Sequence, residues 1–182
     1  MVGAAACLPT YDERLNLEPM VHALGQVLDT ARDSVIVIDD ASPDGTGEIA
    51  DALASMYPWV SVVHRPKKDG LGPAYLAGFR RALEQGADLV LTMDCDFQHD
   101  PGDVPRLIEA AEDADLVIGS RYVDGGGFDG AFVRRVLSRG GSTYARAMLG
   151  GPVRDVSGGF RCFRRATLEA IDLDAFQFGG YG

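Results

Sequence analysis

Two carboxylates one residue apart, Asp94 and Asp96, stand at the end of the apolar run 89–93, and Gln98 adds a neutral oxygen two residues later. Where a buried strand unwinds, that spacing can turn several oxygens toward one ligand, and hard donors of this kind suit Mg2+ or Mn2+. The same aspartates could be turn residues ahead of a helix, although Asp100 with Pro101 behind it already supplies a cap there. A second apolar run, 35–38, ends in Asp39 and Asp40 and continues as Ala41-Ser42-Pro43-Asp44-Gly45-Thr46. A carboxylate at such a place can accept a hydrogen bond from a base N–H or a ribose hydroxyl. Residues 42–46 read equally well as a turn and cap.

A third feature is one of charge. Residues 134–165 hold eight arginines against the single acid Asp155, a balance of +7 in a chain of net −10, which leaves −17 for the remainder. Within that stretch, 132–149 reads as a basic amphipathic helix with Arg135, Arg139 and Arg146 on one face. Such a helix can lie on an anionic membrane surface, its arginines can hold a phosphate, or it can be a solvated helix with its apolar side in the core. Gly70-Leu71-Gly72 opens like a dinucleotide fingerprint, but Tyr75 stands where the third glycine belongs. His22 and His64 read as structural, and His99 adjoins the acidic loop.

The elements that must position these residues follow from periodicity. Short apolar, β-branched runs at 3–8, 34–39, 60–64, 89–93 and 116–119 alternate with helical patterns at 16–31, 46–56, 73–85 and 101–112, the third opened by Gly72 and Pro73. This alternation predicts βαβ units, hence an α/β fold with a mostly parallel central sheet and helices on both faces. Ligands of such open sheets bind at the carboxyl ends of the strands. Residues 9–13, 39–40, 94–98 and 120–122 should therefore converge on one rim. Carboxylates crowded there repel one another unless a cation sits among them.

Composition sets the bounds. With 182 residues, 46% hydrophobic and 24% charged, the chain can bury a single core and is neither disordered nor fibrous. The excess of 27 acidic over 17 basic side chains argues against nucleic acid as a general partner. Cys7, Cys95 and Cys162 are odd in number and lack metal-type spacing, which fits a reducing compartment. No run reaches the ~18 apolar residues of a membrane span, and the apolar start lacks the basic flank of a signal peptide.

Read together, LPTYDER, VIDDASPDGT, GLGPAYLAGF, MDCDFQHDP, IGSRY, LSRG and DVSGGFRCFRR resemble glycosyltransferase family 2, specifically its polyprenyl (dolichyl) phosphate mannose synthases, in family order over nearly the whole chain. The resemblance implies a GT-A (Rossmann-like) fold and inverting transfer of mannose from GDP-mannose to a polyprenyl phosphate, with Mg2+ or Mn2+. It also implies site residues: Pro9, Tyr11, Glu13, Ile38 and Asp40 for the guanosine, and Asp94, Cys95 and Asp96 beside the diphosphate. Asp96 and Gln98 would be the metal ligands, Arg121 would meet phosphate, and Arg134 with Ser138 would hold the acceptor phosphate. Asp96 and Arg121 would carry the catalytic load. The setting implied is the cytoplasmic face of a membrane, held peripherally or through a separate membrane-anchoring domain or subunit.

Asp12 stands where relatives usually have Asn, and Cys95 replaces the commoner Ala. Relatives also continue past the region of Tyr181, so residues 1–182 are expected to form a single GT-A catalytic domain lacking the family's C-terminal segment. The alternatives are a prenyl-phosphate glucosyltransferase of the same fold and a nucleotide-sugar-binding fragment without turnover. A phosphatase using Asp94, or a receiver domain using Asp39 and Asp40, fits poorly, since neither pair follows the first strand.

Overall fold

The structure is a computed structural model describing residues 3–119, 158–173 and 175. In chain order it comprises β1 (Ala4–Thr10), α1 (Leu17–Val27), β2 (Ser34–Asp39), α2 (Thr46–Met56), β3 (Val60–His64), α3 (Leu71–Glu84) and β4 (Leu89–Thr92). A single 3-10 turn (Pro101–Asp103) then runs into α4 (Val104–Ala110), followed by β5 (Leu116–Ile118), β6 (Arg161–Arg164) and α5 (Arg165–Ala170). The strands form one sheet in the order β3-β2-β1-β4-β6-β5, in which β6 is antiparallel to both neighbours and every other pairing is parallel.

Central strands β1 and β2 are apolar throughout because both their faces are covered. Ala4, Ala6, Leu8, Val35 and Val37 pack with Met20, Leu24, Leu53 and Leu107 of α1, α2 and α4. The alternate residues Ala5, Cys7, Ile36 and Ile38 pack with Ala74, Phe79, Ala82 and Leu168 of α3 and α5. Leu8, Met20, Leu24, Leu53 and Leu91 are each at most 1% exposed, and burial of each stabilises the fold by about 1.5–3 kcal/mol. All three cysteines are buried in these layers, which pushes each thiol up to about 12 and keeps it protonated.

The expected mostly parallel α/β sheet is present, with instructive departures. α1 stops at Val27 rather than 31 because the buried Asp33 carboxylate accepts the N–H groups of Ala4 and Asp29 at 2.9 and 3.0 Å, holding 29–33 as a turn. α3 begins at Leu71, with Gly70 (φ 88°) before it. Pro73 therefore occupies the third helical position, where its missing N–H is still one of the donors a helix start leaves unpaired. β6 did not emerge from the alternation of apolar runs, because only Cys162 and Phe163 of Arg161–Arg164 are apolar. Arg161 and Arg164 there donate to the carbonyls of Gly158 and Ala111, at 2.7 and 2.8 Å, and Arg165 reaches Glu169 at 3.3 Å. Arg161 and Arg164 of the basic stretch thus hold the fold, while Arg165 makes only a local pair along α5. Residues 132–149 lie outside the described residues.

The last glycine of GLGPAYLAGF explains how closely α3 lies on the sheet. A Cβ at Gly78 would stand 2.9 Å from Cys7 Sγ and 3.0 Å from Ile38 Cδ1. Gly78→Ala is therefore expected to lower stability by about 1–3 kcal/mol through overpacking, despite the better helix propensity of alanine. Urea unfolding checks this; an unchanged or higher midpoint would mean that α3 lifts from the sheet at no cost.

Candidate active site

The order β3-β2-β1-β4 places a topological switch point between β1 and β4, since the chain leaves β1 in one direction and returns on its other side. A crevice outside the carboxyl ends of those two strands is where an open α/β sheet takes its ligand. Tyr11 and Glu13 follow β1, Asp39 and Asp40 lie at the end of β2, and Asp94 to Gln98 follow β4. Three of the expected strand-end clusters thus share one rim. Burial, then the nearby charges of Glu13, Asp96 and Asp94, raise the Cys95 thiol, which puts the β1 loop and the β4 loop within electrostatic reach of one another.

The two aspartates of the D-x-D are not equivalent. Asp94 is half-buried, accepts the Tyr75 hydroxyl at 3.0 Å, and has His99 Nε2 4.0 Å away. Burial, then the Asp94 charge, pushes the Tyr75 phenol well above its ordinary value, so it remains a donor. His99 stacks on Phe160 at 5.1 Å. Gly159 leaves just enough room: a Cβ there would approach Asp94 Oδ2 to 3.2 Å. Asp96 and Gln98 are exposed, with Asp96 Oδ1 accepting the Gln98 N–H at 3.0 Å. Between them Phe97 adopts φ 59°, a conformation disfavoured for a bulky residue.

Among the described residues no three His, Cys, Asp or Glu side chains gather as a metal cage. The donor set fits a hard cation held another way. Asp96 offers an exposed carboxylate and Gln98, two residues on, an exposed carboxamide, a set that leaves most coordination positions to substrate oxygens and water, as Mg2+ prefers.

Across the crevice, Asp40 is buried and ion-paired: Arg65 Nη1 donates to both of its oxygens at 2.6 and 2.8 Å. Burial pushes the Asp40 carboxyl above its usual value, which Arg65 and the Asp69 N–H only partly offset. Lys68 lies 3.9 Å over the Tyr11 ring centroid, a cation–π contact. Pro9 and Tyr11 are half-buried. Ile38 is wholly inside the α3 layer, and its carbonyl accepts the buried Thr10 Oγ1 at 3.3 Å. Cys95 is likewise 2% exposed. Arg121, Arg134 and Ser138 lie outside the described residues.

Backbone conformation explains the exchange at position 12. Asp12 has φ 60°, and Asn and Asp are the non-glycine residues that tolerate the left-handed region best. The position selects for that backbone conformation, and Asp meets the requirement as Asn does.

His64, at the end of β3, lies 2.9 Å from Asp51 and 3.7 Å from the buried Asp39. The hydrogen bond to Asp51 is the main cause that raises the imidazole above its ordinary 6.5. The stabilisation it supplies is therefore complete below that value and lost as pH rises through the higher folded value. His64→Gln is expected to flatten this alkaline-side fall, read as the change in urea midpoint across neutral pH. A slope identical to wild type would assign the dependence to other groups.

Sequence reasoning missed Arg65, Lys68 and the particular tasks of Tyr75 and Gly159. Arg65 could have been found, because it directly follows β3 and so falls under the same carboxyl-end rule applied to the other strands. Nothing in the spacing pairs it with Asp40, 25 residues away.

Sheet order and rim define the class: an α/β domain whose ligand crevice opens at the β1/β4 switch point. The sequence profile of Glycosyl transferase family 2 matches residues 5–172, and the chain belongs to that family of glycosyltransferases. It is 50% identical over 177 residues to the undecaprenyl-phosphate mannosyltransferase of Micrococcus luteus, covering 96% of this chain and 72% of that one. Identity is 46% to the polyprenol monophosphomannose synthase of Mycolicibacterium smegmatis (96% and 66%) and 38% to the dolichol-phosphate mannosyltransferase of Pyrococcus furiosus (94% and 49%). The chain thus spans from about half to under three quarters of these relatives' lengths. Among solved structures, it resembles a mannosyltransferase from Pyrobaculum calidifontis in complex with GDP-Man and Mn2+, with TM-score 0.62 and 19% identity over 92% of this chain and 46% of that one. It also resembles glucosyl-3-phosphoglycerate synthase from Mycobacterium tuberculosis in complex with Mn2+ and UDP-Glc, with TM-score 0.67 and 22% identity over 93% and 58%. These likenesses establish the fold, which is GT-A.

Proposed function

We propose that the protein transfers mannose from GDP-mannose to a polyprenyl phosphate, with inversion at the anomeric carbon and dependence on Mg2+ or Mn2+. The observation that carries this reading is the 50% identity, over nearly the whole chain, to a relative named for mannose transfer to undecaprenyl phosphate. The chemistry of the rim supports it. Asp40 and Glu13 offer carboxylates suited to base and ribose donors, with Pro9, Tyr11 and the end of β2 at Ile38 completing the nucleoside subsite. Asp94 and Cys95 lie beside the diphosphate, and Asp96 and Gln98 hold the cation. When bound, that ion neutralises diphosphate charge and eases departure of GDP.

The acceptor dictates what the protein need not provide. A phosphate monoester has a second pKa of about 6 and is largely a dianion at neutral pH. One of its oxygens bonds to the anomeric carbon while the bond from that carbon to the diphosphate breaks, and the electron pair leaves with GDP. No proton has to be removed, so no general base is required. The demand is for positive charge that brings two anions together and aligns them. In this reading Arg121 meets phosphate, and Arg134 with Ser138 holds the lipid phosphate. None of the described helices is long and apolar enough to cross a membrane; the lipid acceptor brings the protein to the membrane surface, on the cytoplasmic face.

Titrating GDP-mannose calorimetrically into the protein with Mn2+ and then with EDTA, followed by transfer of labelled mannose to a short polyprenyl phosphate, tests the proposal. Metal-dependent binding with transfer is expected. Preference for UDP-glucose in competition would make it a glucosyltransferase, and binding without transfer would leave a donor-binding domain.

A further inference from the structure

We infer that Ser42 and Asp44, in the turn after β2, and Thr46, the first residue of α2, are positioning residues for the donor nucleotide, acting through the β1 loop that carries Tyr11 and Glu13. This rests on the reading of the rim as a nucleotide site. Three successive N–H groups of that loop are each held by a side-chain oxygen from residues 42–46. Asp12 donates to Ser42 Oγ at 3.2 Å, Glu13 to Thr46 Oγ1 at 3.0 Å, and Arg14 to Asp44 Oδ2 at 3.1 Å. Arg14 Nη1 adds a bond to the Asp44 carbonyl at 2.9 Å.

The Thr46 hydroxyl is the hinge of the arrangement. It is fully buried, accepts from Glu13 and donates to Asp44 Oδ1 at 2.6 Å, while its own N–H reaches the same oxygen at 3.0 Å. Asp44 therefore needs both oxygens as acceptors, and the Thr46 hydroxyl bond holds its carboxyl below the usual range, so it stays ionised. The loop it fixes passes through the left-handed region at Asp12, φ 60°. With N–H groups 12, 13 and 14 all committed, the loop has no free row of donors for a phosphate. What it presents is Tyr11 and Glu13, and the Glu13 carboxylate is itself set by Asn16 Nδ2 at 2.7 Å. The aspartate and threonine of the D-G-T thus do more than start α2: they decide where the nucleoside-facing side chains stand.

GDP with Mn2+ is titrated into wild type, Thr46→Val, Thr46→Ser and Asp44→Asn, at a temperature where circular dichroism shows each fully folded. Val keeps the shape of Thr and loses the hydroxyl; Asn puts an NH2 donor where the Arg14 N–H or Thr46 needs an acceptor. Each is expected to raise the Kd for GDP about tenfold, the equivalent of one lost hydrogen bond, whereas Thr46→Ser stays within about threefold. Wild-type affinity in folded Thr46→Val and Asp44→Asn, with only the melting temperature lowered, would reduce the clasp to a helix cap and overturn the inference. Should those variants not fold, Ser42→Ala removes only the outermost bond, and an unchanged Kd there overturns it too. A wild type that binds no GDP would instead remove the nucleotide reading on which the inference stands.

Discussion

Asp96→Ala is expected to abolish metal-dependent binding of GDP-mannose while leaving the fold intact. The side chain is exposed, and its one carboxylate bond shown is to the neighbouring Gln98 N–H, so its removal opens no cavity and orphans no buried group. The cost falls on the cation. Groups that merely orient a metal ligand typically contribute 10–100-fold to metal affinity, and Asp96 is the charged member of the ligand pair proposed with Gln98. A loss of at least about a hundredfold in Mn2+-dependent GDP-mannose affinity follows. Calorimetry with and without EDTA measures it directly, and equal affinity for wild type and variant under both conditions would take Asp96 out of the site.

How far this site could be read from sequence depends on how local its determinants are. β2, α2 and β3 were delimited residue for residue, because each is a short run whose period contrasts sharply with its flanks. The convergence of 9–13, 39–40 and 94–98 followed from one rule about parallel sheets. What escaped were partnerships between distant segments. Asp33 ends α1 early by capturing the N–H of Ala4, 29 residues away, and Tyr75 of α3 reaches Asp94 of the β4 loop. β6 escaped for a related reason: its arginines are satisfied by carbonyls of 111 and 158, and neither bond leaves a trace in hydropathy. Burial also redefined two expected ligand residues. Ile38 and Cys95 are enclosed in the core as whole residues, 0% and 2% exposed, so neither presents a surface of its own at the rim.

Arg65→Met is expected to destabilise the protein severely and to do so in a pH-dependent way. The side chains of Arg65 and Asp40 are only 12% and 7% exposed, and removing one partner of such a pair costs about 3–5 kcal/mol because the other charge is left in a low dielectric. In a domain whose total stability is about 5–15 kcal/mol, that is a large fraction. The sign of the pH effect follows from Asp40. Its carboxyl already sits above the ordinary 3.8 owing to burial, even with Arg65 pulling it down. Without Arg65 it rises further, so the folded variant binds a proton more readily than the unfolded chain does, and the deficit shrinks as pH falls. Urea denaturation of wild type and variant at neutral and acidic pH should therefore converge toward the acidic end; a deficit constant with pH would assign the loss to packing of the arginine stem. The double variant Arg65→Met/Asp40→Asn should regain much of the stability, because no buried charge remains unpaired. It should not regain GDP affinity, since the carboxylate proposed to meet the base is gone, and this separates what Arg65 does for the fold from what Asp40 does for the ligand.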